Sequence, residues 1–61
     1  SCIIEKLIEA GQLQEAGTLL SSLVTARPDS AQNYIVLSKL QEKTGDAQAA
    51  LNSLERAVSL A

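Results

Sequence analysis

The sequence predicts an all-α fold, four antiparallel helices arranged as two helix-turn-helix units. Three observations carry that reading. Apolar residues recur at the 3.6-residue period of amphipathic helices in four consecutive segments, with no alternation of the strand type. Gly11, Pro28 and Gly45 punctuate those segments where helices should stop. A shift of 34 residues carries Gly11 onto Gly45 and lays most of the apolar pattern of the first half on the second, which is the mark of a repeated supersecondary unit.

The first segment places Ile3, Ile4, Leu7 and Ile8 on one face and Glu5, Lys6 and Glu9 on the other, and Gly11 ends it by tolerating left-handed backbone torsions. The second segment, from about Leu13 to Ala26, turns Leu13, Ala16, Leu20, Leu23 and Val24 inward. Arg27 suits the negative end of its dipole, and Pro28 stops it. Asp29 is expected to cap the third segment, with Gln32 three residues on completing a capping box. Tyr34, Ile35, Val36, Leu37 and Leu40 then spread around much of the circumference, so this helix should be covered on most sides and lie at the centre. The fourth segment follows Thr44-Gly45, takes Asp46 as its cap and runs an apolar stripe through Ala47, Ala50, Leu51, Leu54, Ala57, Val58 and Ala61. Its small residues at Ala50 and Ala57 should admit a neighbouring helix closely. The stretch Ala31 to Leu60 thus reads as one complete helical hairpin.

The 34-residue shift also carries Ile3 onto Leu37, Leu7 onto Gln41, Leu13 onto Ala47, Ala16 onto Ala50 and Leu20 onto Leu54. In its order of bulky residue, Leu with a small residue, turn Gly, Ala, bulky residue and Ala, the second unit resembles the tetratricopeptide repeat through Tyr34, Leu37, Ser38, Gly45, Asp46, Ala50, Leu54, Ala57 and Leu60. The first unit carries Ile3, Leu7, Gly11, Ala16, Leu20 and Pro28 in corresponding places. The resemblance covers the whole chain and implies a right-handed superhelical α-α solenoid fragment, with residues 1–30 forming a first, N-terminally incomplete repeat and residues 31–61 a second. Ile4 and Leu23 depart from the family pattern, standing where it has small residues, and Gln41 replaces an aromatic. A stripe that opens at once after Ser1 suggests a piece cut from a longer array, because solenoid units need neighbours to bury their faces.

Composition narrows the function. A chain of 61 residues buries only about 60% of the surface its unfolded form exposes, so the fold should be marginal and should gain from packing against something else. The net charge of −2 is scattered along the chain and leaves no basic footprint for nucleic acid. No run is long and apolar enough for a membrane span, and there is no signal-type segment. The single cysteine, Cys2, allows no internal disulfide, which suits a reducing compartment and favours the cytoplasm. With no histidine, no Gly-rich phosphate loop and isolated carboxylates, the sequence offers neither a catalytic set nor a metal or cofactor site. Cys2, on an apolar face with no basic partner nearby, reads as a small packing residue rather than a nucleophile. Tyr34 occupies the bulky packing position of its repeat rather than a ligand-stacking one.

What remains is binding to another protein. By resemblance, the first helix of each repeat lines a concave groove, which implies partner-binding positions at Glu5 and Glu9, with Cys2 beside them, and at Gln32, Ile35, Val36, Lys39 and Lys43. A peptide or partner helix would lay apolar side chains on Ile35 and Val36 while Lys39 and Lys43 pair acidic groups at the rim. A second possibility is a self-associating unit whose open helix faces pair into a homodimer. Pentatricopeptide repeats, which have a similar length and bind single-stranded RNA, are a more distant resemblance through Asn33-Tyr34-Ile35-Val36-Leu37-Ser38. The helices that would line such a groove carry Glu5, Glu9 and Glu42 against Lys6, Lys39 and Lys43, which disfavours RNA. Some relatives clamp the C-terminal carboxylate of chaperones with Lys and Asn residues; Ser1, Glu5 and Val36 stand in those places, so that activity is not expected.

Overall fold

Two glycine-closed turns set the architecture. Gly11 has φ +81° and Gly45 φ +86°, and no other described residue lies in the left-handed region. At the first, the Gly11 N–H donates to the Ile8 carbonyl at 3.0 Å and the Gln12 N–H to the Leu7 carbonyl at 2.9 Å. At the second, Gly45 donates to Glu42 at 3.1 Å and Asp46 to Gln41 at 2.9 Å. Both are Schellman motifs, which satisfy the last carbonyls of a helix while reversing the chain. They recur 34 residues apart, as the repeat requires.

The computed structural model describes residues 2–61, apart from the Cys2 side chain, and contains α1 (Cys2–Glu9), α2 (Leu13–Ala26), α3 (Ala31–Lys43) and α4 (Ala47–Leu60). The described residues form helices and turns only, so the all-α prediction holds. The expectations placed on Ser1 and on the Cys2 side chain lie outside the described residues.

Helix α3 is the centre of the molecule: it packs on α1, α2 and α4, and its contact with α4 is the most extensive. Ile4, Ile8, Ala16, Leu20, Val36 and Leu40 form the core cluster, with Leu7, Leu13, Leu23, Val24 and Leu37 packed against it. On the other side of α3, Ala50, Ser53 and Ala57 are buried. Their small side chains line the α3-facing side of α4. The Ser53 hydroxyl donates to Gln41 Oε1 at 2.6 Å, so the position where the family pattern has an aromatic is filled by a side-chain hydrogen bond. Arg56 places its guanidinium 5.8 Å from the Tyr34 ring centroid, a cation–π contact that covers the half-buried ring.

Two expectations need correction. Ser30, not Asp29, caps α3: its backbone is extended and its side-chain oxygen accepts from the Asn33 N–H at 3.4 Å. The chain turns once more before the helix begins, with the Ser30 N–H donating to the Arg27 carbonyl at 3.2 Å, so Asp29 belongs to the turn and Gln32 is left exposed. The α4 stripe is also not buried as one. Ala50 and Ala57 face α3, whereas Leu51, Leu54 and Val58 form an exposed apolar ridge. Periodicity shows which residues share a side, and this side is broader than the single helix that covers it.

Candidate protein-binding cleft

Helices α1 and α3 run side by side and leave a shallow cleft of about 200 Å³ lined by Glu5, Ile8, Glu9, Lys39, Glu42 and Lys43. Ile8 is buried and supplies the apolar floor. The charged residues rise around it because polar positions of α1 and α3 meet there: Glu5 and Glu9 are one turn apart on one helix, Lys39 and Lys43 one turn apart on the other.

One charge pair closes across the cleft. Lys39 Nζ lies 2.9 Å from Glu5 Oε2, with 51% of the lysine side chain and 34% of the glutamate side chain accessible. The hydrogen bond from Lys39, reinforced by its charge, holds the Glu5 carboxyl below the usual carboxylate range. It is the only ion pair among the described residues, so Glu9, Glu42 and Lys43 present their charges to whatever enters.

Four of the seven expected groove residues, Glu5, Glu9, Lys39 and Lys43, therefore line one cleft. Val36 does not join them. It is fully buried in the core cluster, because α3 turns that side toward α2 as well as α1. Ile35 faces another way, into an apolar hollow of about 400 Å³ shared with Ala31, Leu54, Ala57, Val58 and Ala61. Gln32 is exposed and lines none of these surfaces. Sequence reasoning did not place Ile8 or Glu42 among the binding positions, and it missed the pairing of Glu5 with Lys39. The signal was present: the shift that superposes the glycines also superposes Glu5 on Lys39 and Glu9 on Lys43.

The described residues contain no group of three or more His, Cys, Asp or Glu side chains placed to hold a metal, and no helix long and apolar enough to cross a membrane. Four helices closed by two Schellman turns at a 34-residue interval, with a side-by-side cleft between the first helices of the two hairpins, define an α-α repeat of the solenoid class. Residues 7–61 match the family model described as tetratricopeptide repeat, and the chain belongs to that family. No curated protein and no solved structure matches it. Repeats of this family generally mediate protein–protein interaction and typically act as scaffolds rather than catalysts.

Proposed function

We propose that this chain is a non-catalytic interaction module whose α1/α3 cleft receives a peptide or partner helix, with residues 1–30 and 31–61 as its two repeats. The observation that carries the reading is the convergence of Glu5, Glu9, Lys39, Glu42 and Lys43 around the buried Ile8, with a single pair satisfied internally. A ligand that sets a basic side chain between Glu9 and Glu42 and an acidic one against Lys43 would meet complementary charge at both places. Three carboxylates against two ammonium groups give a polyanion no net attraction, which argues against single-stranded RNA.

The test is selection of displayed peptides on the immobilised chain, followed by titration of the selected peptides into the Lys39→Glu variant. Because Lys39 is exposed, the variant should keep its helical circular dichroism while its affinity for those peptides drops at least several-fold. Unchanged affinity would remove the cleft from the binding surface, and loss of helicity would show that Lys39 serves the fold instead.

A further inference from the structure

The apolar ridge of α4 has a counterpart inside the molecule that says what covers it. At a spacing of 34 residues, Leu20 and Val24 of α2 correspond to Leu54 and Val58 of α4, and Gly17 to Leu51. Leu20 is fully buried and Val24 half-buried in the core that α3 seals, and Leu40 packs over Gly17, a side-chain methyl lying 3.6 Å from where a Cβ would stand. Leu54 is 41% exposed and Val58 75% exposed, with Leu51 exposed beside them. The operation that places α3 on α2 thus places one further helix on α4.

We infer that the occupant is α1 of a second copy of this chain, stacked head to tail. Charge selects it. Within one chain, Glu5 of α1 meets Lys39 at the corresponding position of α3, and Glu9 corresponds to Lys43 in the same way. Repeating the operation with a second copy sets that copy's Glu5 and Glu9 beside Lys39 and Lys43, so acidic and basic columns alternate along the stack. The Lys39 side chain is half accessible and has room for a second carboxylate. The incoming helix also brings Ile3, which is 71% exposed, to the place that Leu37 takes over α2. Lys6, also exposed, falls where Leu40 lies and lays its aliphatic stem on Leu51. The contact is heterologous and open-ended, so it leaves one α1 face and one α4 ridge free on every stack.

Sedimentation equilibrium of the 61-residue chain over a hundredfold concentration range tests this, alongside two variants blocked at opposite ends, Leu54→Glu/Val58→Glu and Ile3→Glu. All three sites are exposed, so helical circular dichroism should be retained. The wild-type chain should grow in mass with concentration and shrink as salt is raised; each variant alone should stay monomeric; and their equimolar mixture should form a 1:1 dimer and stop. A wild-type chain that remains monomeric throughout overturns the proposal. So does an Ile3→Glu variant that dimerises as well as the wild type, since that would mark a ridge-to-ridge contact.

Discussion

At the spacing that relates the two helix pairs, the same position meets opposite surroundings: Leu20 is sealed beneath α3, while Leu54 stands 41% exposed on α4. Other positions diverge in a compensating way. Gln12 precedes α2 without a side-chain cap, whereas Asp46, its equivalent, accepts from the Ala49 N–H at 3.1 Å. Leu7 and the exposed Leu19 correspond to Gln41 and Ser53, which are joined by a hydrogen bond in the α3–α4 contact. Leu23 corresponds to Ala57, a small residue buried there. The first pair is stabilised by the helix laid over it; the second is stabilised by its own cap, its small-residue contact and its internal hydrogen bond. What a repeat needs from its own sequence depends on whether a neighbour covers it.

The largest effect that could break this comparison comes from truncating the two leucines. Leu20→Ala should cost about 2–5 kcal/mol through lost burial and the cavity left behind. For so small a chain that is enough to abolish the folded state. Leu54→Ala should shift the urea midpoint only slightly, as surface substitutions stay within about 0.5 kcal/mol. Equal losses in urea denaturation of the chain at concentrations where it is monomeric would mean that α4 is covered within the chain itself. Next in size is Ala50→Leu, which should overpack the α3–α4 contact by about 1–3 kcal/mol, while Ala47→Leu at an exposed position on the same helix should be near neutral. A neutral Ala50→Leu would contradict the tight fit assigned to the second pair.

Much of this fold could be read in advance, and the residues that could not share a physical reason. Gly11, Gly45, Pro28 and Asp46 act through local backbone chemistry, which a sequence carries in full. The cap of α3 lies one residue beyond the expected Asp29 because Asp29 and Ser30 can both cap; the turn closed by Ser30 on Arg27 decides between them. The resemblance implies groove positions for Val36 and Ile35 beside Lys39, but a helix apolar on most sides does not show which of its sides meets a neighbour. One of the two is core and the other faces the α4 hollow. The α4 ridge failed for a related reason: amphipathicity specifies a face that prefers cover, not whether cover is present. The Glu5–Lys39 pair differs, since the repeat shift aligns two residues of opposite sign and the pairing is legible in that alignment.

A smaller effect concerns the caps. Asp46→Ala should cost about 1 kcal/mol by leaving first-turn N–H groups of α4 without a side-chain acceptor. The converse change sharpens the comparison. Gln12 has φ −83° and ψ 66°, close to the φ −103° and ψ 79° of Asp46, so Gln12→Asp has the backbone needed to form the missing cap. It should raise the stability of the chain by a similar amount, about 0.5–1 kcal/mol. If neither substitution moves the thermal midpoint, capping is not what distinguishes α4 from α2.

The smallest expected effect tests the link between the pairs. Glu5 is held below the ordinary carboxylate range first by the hydrogen bond from Lys39 and then by its charge. A carboxylate with a lowered folded-state pKa stabilises the fold at every pH above its unfolded value, and that contribution disappears as pH falls through the folded value. Urea midpoints measured from about pH 6 down to about pH 3 should therefore fall more steeply for the wild-type chain than for Glu5→Gln, the two curves converging at the acid end. Salt should narrow the gap at neutral pH, because the pair is exposed and screened. Parallel curves would mean that the bond across the cleft forms without favouring the folded state, leaving the helix pairs joined by the apolar core and by the hydrogen bond from the Asn33 side-chain amide to the Leu23 carbonyl.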